Sequence, residues 1–327
     1  MRKLLLGTTA LAAAATLTAN AALADVTITG GAEFKYLSRS SNVSTNDGTT
    51  MSSDNELTIN FTQKTDSGLD LTYRVDFDAD PGDDTGMPVD ESSLTIAGGF
   101  GKLILGFDDD ASDAYTLDEM DGIAEEPAPA LHASATISTS SSVASDDARK
   151  VAYHHPAMGG LTAGISHTDR TAAGGTDSTA YGARYSMDAG GAAITLGYSS
   201  LTDENSTQDV DHENMGIKVV SGDISIILSQ GGYEANDEDR ENQGGSISYK
   251  MPNGMTIGAF TFKSEDDLDA GEEYTASGAE VQYNIASGLK ASITVVDYDY
   301  KVTAGNHEAT PTADSGTMTQ LTIGASF

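Results

Sequence analysis

The chain has 327 residues, a formal net charge of -33 and no cysteine. That charge argues against a nucleic-acid partner, whose phosphates would be repelled, and the missing thiols exclude disulfides and thiolate chemistry. A hydrophobic content of 38% and a mean hydropathy of -0.27 look like a soluble protein, but they also fit a wall of strands in which only every second residue meets lipid.

The chain opens with a basic pair, Arg2 and Lys3, then a small apolar core from Leu4 to Leu17 and an A-x-A site at Ala22-Leu23-Ala24. This predicts a cleaved secretory signal peptide over residues 1–24, too short and too cleavable for an anchor. Its removal takes two of the 17 basic residues and none of the 50 acidic ones, so the formal charge moves from -33 to -35. Residues 25–327 are then a single domain. They contain no further long apolar run, so no helix spans a bilayer.

From Val26 to Tyr36 the residues alternate. Val26, Ile28, Ala32, Phe34 and Tyr36 share one face, and Thr27, Thr29, Glu33 and Lys35 the other. Leu57, Ile59 and Phe61 repeat the pattern, as do Leu69, Leu71, Tyr73, Val75 and Phe77 after the turn Thr65–Gly68. Strict period-two alternation over about ten residues is a strand signal. Asp76 to Gly82 begins like a calcium loop, but Pro81 and Met87 stand where an EF-hand needs glycine and a bidentate acid. A looser calcium site from Asp78, Asp80, Asp83 and Asp84 is the alternative to plain hydration, which is the favoured reading of such runs. No cofactor is expected.

After the turn Gly98–Gly101 the alternation stops for the forty or so residues between Asp108 and Ala148, far beyond an ordinary connection of roughly 4–6 residues. This stretch carries Asp108, Asp109, Asp110, Asp113, Asp118, Glu119, Asp121, Glu125 and Glu126, and no Lys or Arg occurs between Lys102 and Arg149. The expectation is a loop that folds into the space enclosed by a closed wall; the alternative is a solvated acidic insertion outside it. His154 and His155 are neighbours on a strand and point to opposite faces, so they do not chelate one ion in the ordinary way. There is no H-E-x-x-H, no G-x-S-x-G and no phosphate-cradling loop, so nothing points to an enzyme.

The alternation then continues to the end. Seven tight turns and eight longer polar connections alternate, the latter near 39–53, 79–90, 109–148, 170–178, 201–210, 231–242, 264–272 and 301–315. The grammar predicts an all-β fold, a transmembrane antiparallel barrel of about sixteen strands with both termini on the short-turn, periplasmic side. The last strand ends on Phe327, so it closes the wall against the first and leaves no unpaired edge in lipid. On these phases Lys35, Arg74, Lys102, Lys150, Arg184 and Lys218 share the polar face, and Leu103, Tyr153, Ile165, Ile226 and Ile293 the apolar one.

Thr65-Asp66-Ser67-Gly68-Leu69-Asp70-Leu71 resembles the second hairpin of Gram-negative general diffusion porins, and Gly99-Phe100-Gly101-Lys102-Leu103-Ile104-Leu105-Gly106 resembles their turn before the constriction loop. The nearest type is the Rhodobacter-like porins. The resemblance implies a homotrimer of sixteen-stranded barrels in the cell outer membrane, embedded in its lipid. It also implies that the third outer loop, here 108–148, faces a basic wall cluster with Lys35, Arg74, Lys150 and Arg184 as candidates. About sixteen strands leave a water-filled channel, so the expected function is passive passage of small hydrophilic solutes and ions, modestly favouring cations. The competing readings are a substrate-selective porin and a structural or adhesive barrel whose acidic loops bind partners.

Overall fold

A computed structural model describes residues 24–78, 89–123, 138, 140–143, 148–169, 177–204, 209–235, 238–266, 271–302 and 313–327. Sixteen strands account for most of them: β1 (Asp25–Ser41), β2 (Gly48–Lys64), β3 (Asp70–Asp78), β4 (Val89–Gly98), β5 (Gly101–Asp108), β6 (Ala148–Met158), β7 (Leu161–Thr168) and β8 (Asp177–Ala189), then β9 (Ala192–Glu204), β10 (Asp209–Ser221), β11 (Ile224–Ala235), β12 (Glu238–Lys250), β13 (Met255–Asp266), β14 (Glu272–Ala286), β15 (Leu289–Val302) and β16 (Asp314–Ser326). Each pairs antiparallel with its chain neighbours, and β1 pairs with β16 from Gly31↔Ser326 to Ser41↔Gly316, so the sheet closes. Phe327 completes the seam, its N–H donating to the Gly30 carbonyl at 2.9 Å and its carbonyl accepting from Gly30 at 3.3 Å.

Closure removes every edge and gives the sheet an inside and an outside. Ile28, Phe34, Phe61, Tyr73, Ile165, Leu196, Leu228, Ile247 and Ile293 are all exposed, and all lie on the outer face. An apolar belt around a closed wall is what lipid covers, at about 1.5–3 kcal/mol for each large side chain buried. Three interruptions of register lie between Val75 and Phe77, between His155 and Met158, and between Asn284 and Ala286. The second contains Pro156, which has no N–H to give to a ladder.

Several polar stretches expected as loops are strand. β9 runs to Glu204, β11 to Ala235 and β13 to Asp266, and Ser41 and Gly48 bound a connection much shorter than 39–53. Beyond the apolar belt both faces are wet, so alternation fades while the backbone ladder continues. On β13 to β15 the pattern inverts along one continuous strand. Ile257, Val281, Ile293 and Val295 face out near the tight turns; further along, Lys263, Glu265, Glu273, Asp297 and Asp299 face out and Phe262, Tyr274, Tyr298 and Tyr300 face in. These inward aromatics join Phe260, Ala276, Val296 and Met318 in a buried cluster inside the barrel, and Met120 and Ile123 pack against it.

Candidate functional site

The described residues of the long connection between β5 and β6 lie inside the barrel and are held to its inner wall strand by strand. At its root the Asp110 carboxylate pairs with Lys150 Nζ on β6 at 3.0 Å, with both side chains essentially inaccessible to solvent. On β7 the Ser166 hydroxyl donates to Asp110 Oδ1 at 3.1 Å and accepts from Ala111 N–H at 2.9 Å. Breaking such a buried pair by removing one partner costs about 3–5 kcal/mol, because the other charge is left uncompensated.

A short 3-10 turn, Asp113–Tyr115, follows, and the Tyr115 hydroxyl hydrogen-bonds His154 Nδ1 at 2.8 Å. The Arg184 guanidinium, from β8, donates to the Thr116 carbonyl. The Thr116 and Ser199 hydroxyls bond at 2.7 Å, and Leu117 N–H donates to Asn214 Oδ1 at 3.1 Å, which carries the chain across β9 and β10. A second 3-10 turn, Glu119–Gly122, is capped by Asp118, whose Oδ1 accepts from Met120 and Asp121 N–H at 2.9 and 3.1 Å. The carboxylate of Glu119 is fully buried and accepts from the hydroxyls of Ser141 at 2.6 Å and Ser229 at 2.7 Å. Further along, Ser138 N–H donates to Ser264 Oγ on β13 at 3.0 Å.

The loop acids therefore divide. Asp110 and Glu119 are buried tethers, while Asp109, Asp113 and Asp121 are exposed and Asp108 and Asp118 half-buried. Glu125 and Glu126 lie outside the described residues. Burial pushes the Asp118 carboxyl up to about 6, helped by the neighbouring Glu119 and Asp121, while the two N–H groups it accepts from pull the other way.

The wall cations divide too. Lys150 and Arg184 sit under the loop rather than across the barrel from it, because buried acceptors on the loop draw them there. Lys35 and Arg74 lie on the inner face of β1 and β3, away from the loop's seat on β6 to β13, and each has carboxylates beside it. Lys35 Nζ is 3.5 Å from Glu33 and 3.8 Å from Asp54. Arg74 is 2.5 Å from Asp76 and 2.7 Å from Glu91. Lys290 adds a third cation, 3.7 Å from Glu33. Glu33, Asp54 and Lys290 also line a cavity of about 450 Å³ between β1, β2 and the ends of β14 to β16.

For metal binding, Glu91, Asp108 and Asp109 bring one oxygen each to within 4.8 Å of one another, although Glu91 already serves Arg74. Of the candidate calcium loop only Asp78 is described, at the end of β3; Asp80, Asp83 and Asp84 lie outside the described residues. Sequence reading passed over the neutral tethers Ser166, Ser199, Asn214 and Ser229. The available signal was Ser or Asn at inward positions on β7, β9, β10 and β11.

A family model described as Gram-negative porin matches residues 7–327. No curated protein matches the chain. Among solved structures, the trimer form of OmpT, an outer membrane protein of Vibrio cholerae, aligns with a TM-score of 0.66 at 14% identity over 93% of this chain and 100% of that one. The anion-selective porin of Comamonas acidovorans aligns with a TM-score of 0.67 at 15% identity, over 93% of this chain and 100% of that one. A triple mutant of the Rhodopseudomonas blastica porin aligns with 0.63 at 17% identity, over the same shares, 93% and 100%. At these identities the likeness is one of fold.

Proposed function

The chain belongs to the Gram-negative porin family, whose barrels sit in the cell outer membrane as channels, and from that premise we propose that this one passes small hydrophilic solutes with a modest preference for cations. The observation that carries the reading is the charge balance of the inner surface. Asp109, Asp113 and Asp121 are exposed on the loop, whereas the cations Lys35, Arg74 and Lys290 on the wall each have at least one carboxylate beside them. A cation passing the loop meets exposed carboxylates, whereas an anion meets, at Lys35, Arg74 and Lys290, cations that already have a carboxylate beside them. Low-dielectric walls focus this field, and salt screens it over about 8 Å at physiological strength. The similarity to an anion-selective porin carries no opposite weight, because a shared fold leaves the sign of the charges free.

A homotrimer, with no cofactor and no catalytic role, is part of the same reading; the OmpT of Vibrio cholerae, described in a trimer form, supports that assembly. The test is the reversal potential of the purified protein in a planar bilayer under a potassium chloride gradient, with its oligomer size checked on unheated gels. Wild type is expected to give the cation sign, growing at low salt, and neutralisation of Asp109, Asp113 and Asp121 together is expected to shrink it. A zero or anion-sign potential for wild type at low salt would refute the selectivity.

A further inference from the structure

On β10 to β12 the loop is held in a different way from elsewhere, because two limbs of it meet at the wall. Asn214, 1% exposed, accepts from Leu117 N–H on the first limb and donates through Nδ2 to the Ser141 carbonyl on the second at 2.8 Å. Glu119, on the first limb, accepts from the hydroxyls of Ser141 and of Ser229 on the wall. These buried groups bond limb to limb and limb to wall.

The strands beneath carry no side chain where the limbs rest. A Cβ at Gly216 would lie 2.5 Å from both Leu117 Cβ and the Leu117 carbonyl oxygen. At Gly231 it would lie 2.5 Å from the Ser141 carbonyl oxygen, and at Gly244 2.1 Å from Glu119 Oε2. None of the three has a left-handed φ, so the backbone itself does not require glycine. Glycine inside a strand costs about 0.5–1 kcal/mol relative to alanine. Close approach of the loop is what uses it here.

We propose that Asn214 and Glu119, seated on Gly216, Gly231 and Gly244, form a latch that sets the bore of the channel by clamping both limbs of the loop flat to the wall. They are positioning residues: they act through the loop, not on the solute. A group that lifts the first limb by about 1 Å, the difference between these approaches and ordinary contact distance, narrows the passage. The inference rests on the channel reading above.

The test is a mutant cycle read by single-channel conductance. The three nearest atoms to a Cβ at Gly244 all belong to the far part of the Glu119 side chain, so Gly244→Ala collides there first. It is expected to lower conductance by about 1.5-fold or more, since flow is set at the narrowest point. In a Glu119→Ala background the three nearest atoms to that methyl group, Glu119 Oε2, Cδ and Cγ, are gone, and its effect is expected to be much smaller. Gly232→Ala, on the outer face of β11 with its nearest neighbour 3.7 Å away, is the control and is expected to conduct like wild type. Asn214→Leu keeps the volume, removes one bond to each limb and is expected to raise open-channel noise while the barrel still resists heat. If Gly244→Ala fails to insert but the double variant inserts, the collision is demonstrated. If neither inserts, Asn214→Leu decides, and wild-type noise and conductance there overturn the latch. Equal conductance in wild type and Gly244→Ala also overturns it, whereas a wild type that does not conduct defeats the channel reading instead.

Discussion

At the residue scale, carboxylates of the same loop do opposite work because their surroundings differ. Asp110 meets a buried cation, Glu119 meets hydroxyls, and Asp118 meets main-chain N–H groups with two acidic neighbours. Burial pushes the Asp118 carboxyl up to about 6, within reach of ordinary buffers. Its folded pKa is raised, so its contribution to stability is present at low pH and is lost as pH rises through that value. Its charge runs the other way. On lowering pH from about 8 to about 5, Asp118 becomes neutral and the cation preference is expected to fall, with a midpoint near 6. Reversal potentials across that range check this, and Asp118→Asn is expected to remove the step. A step unchanged in Asp118→Asn would assign the titration elsewhere.

At the scale of the element, β13 to β15 each serve two environments along one unbroken ladder. Near the tight turns the outer positions are apolar and the inner ones polar, as at Ile293 and Thr294; further along, Asp297 faces out and Tyr298 in. The change marks where the strand leaves lipid. Outside is then water, and inside is a packed cluster of aromatic residues and the loop. A charge placed on the outer face should therefore cost according to height. Ile293→Lys is expected to destabilise the barrel by about 2–4 kcal/mol, the midplane value, and Asp297→Lys by close to nothing. Folding equilibria in lipid vesicles measure both, and equal costs would move the lipid boundary from where the inversion puts it.

At the scale of the whole molecule, closure rests on the seam between β1 and β16, the contact most distant in sequence. Phe327 contributes two main-chain bonds to Gly30 and an outward aromatic ring that is 83% exposed. Deleting it leaves Gly30 without those partners at the edge of the wall, and an unpaired backbone group in lipid costs several kcal/mol. The deleted chain is expected to reach the outer membrane in reduced amount, measured by surface labelling. Normal levels would show that the rest of the seam suffices.

The strand count, the alternation of tight turns and long connections, the lipid-facing rows and the closing role of the last strand were legible in the sequence. They follow from a period of two and from turn chemistry, both local. The long acidic insertion was legible as well, by its length and by the absence of Lys and Arg. What the sequence did not show was which charges would meet. Lys150 and Lys35 occupy equivalent inward positions by phase; only the folded barrel puts one beneath the loop beside Asp110 and leaves the other beside Glu33 and Asp54. The inward aromatics of β13 to β15 were hidden for the same reason. Period-two patterning names the two faces of a strand but not what lies beyond them. That is decided by the course of the loop through the interior, set by contacts between residues as far apart as Ser138 and Ser264.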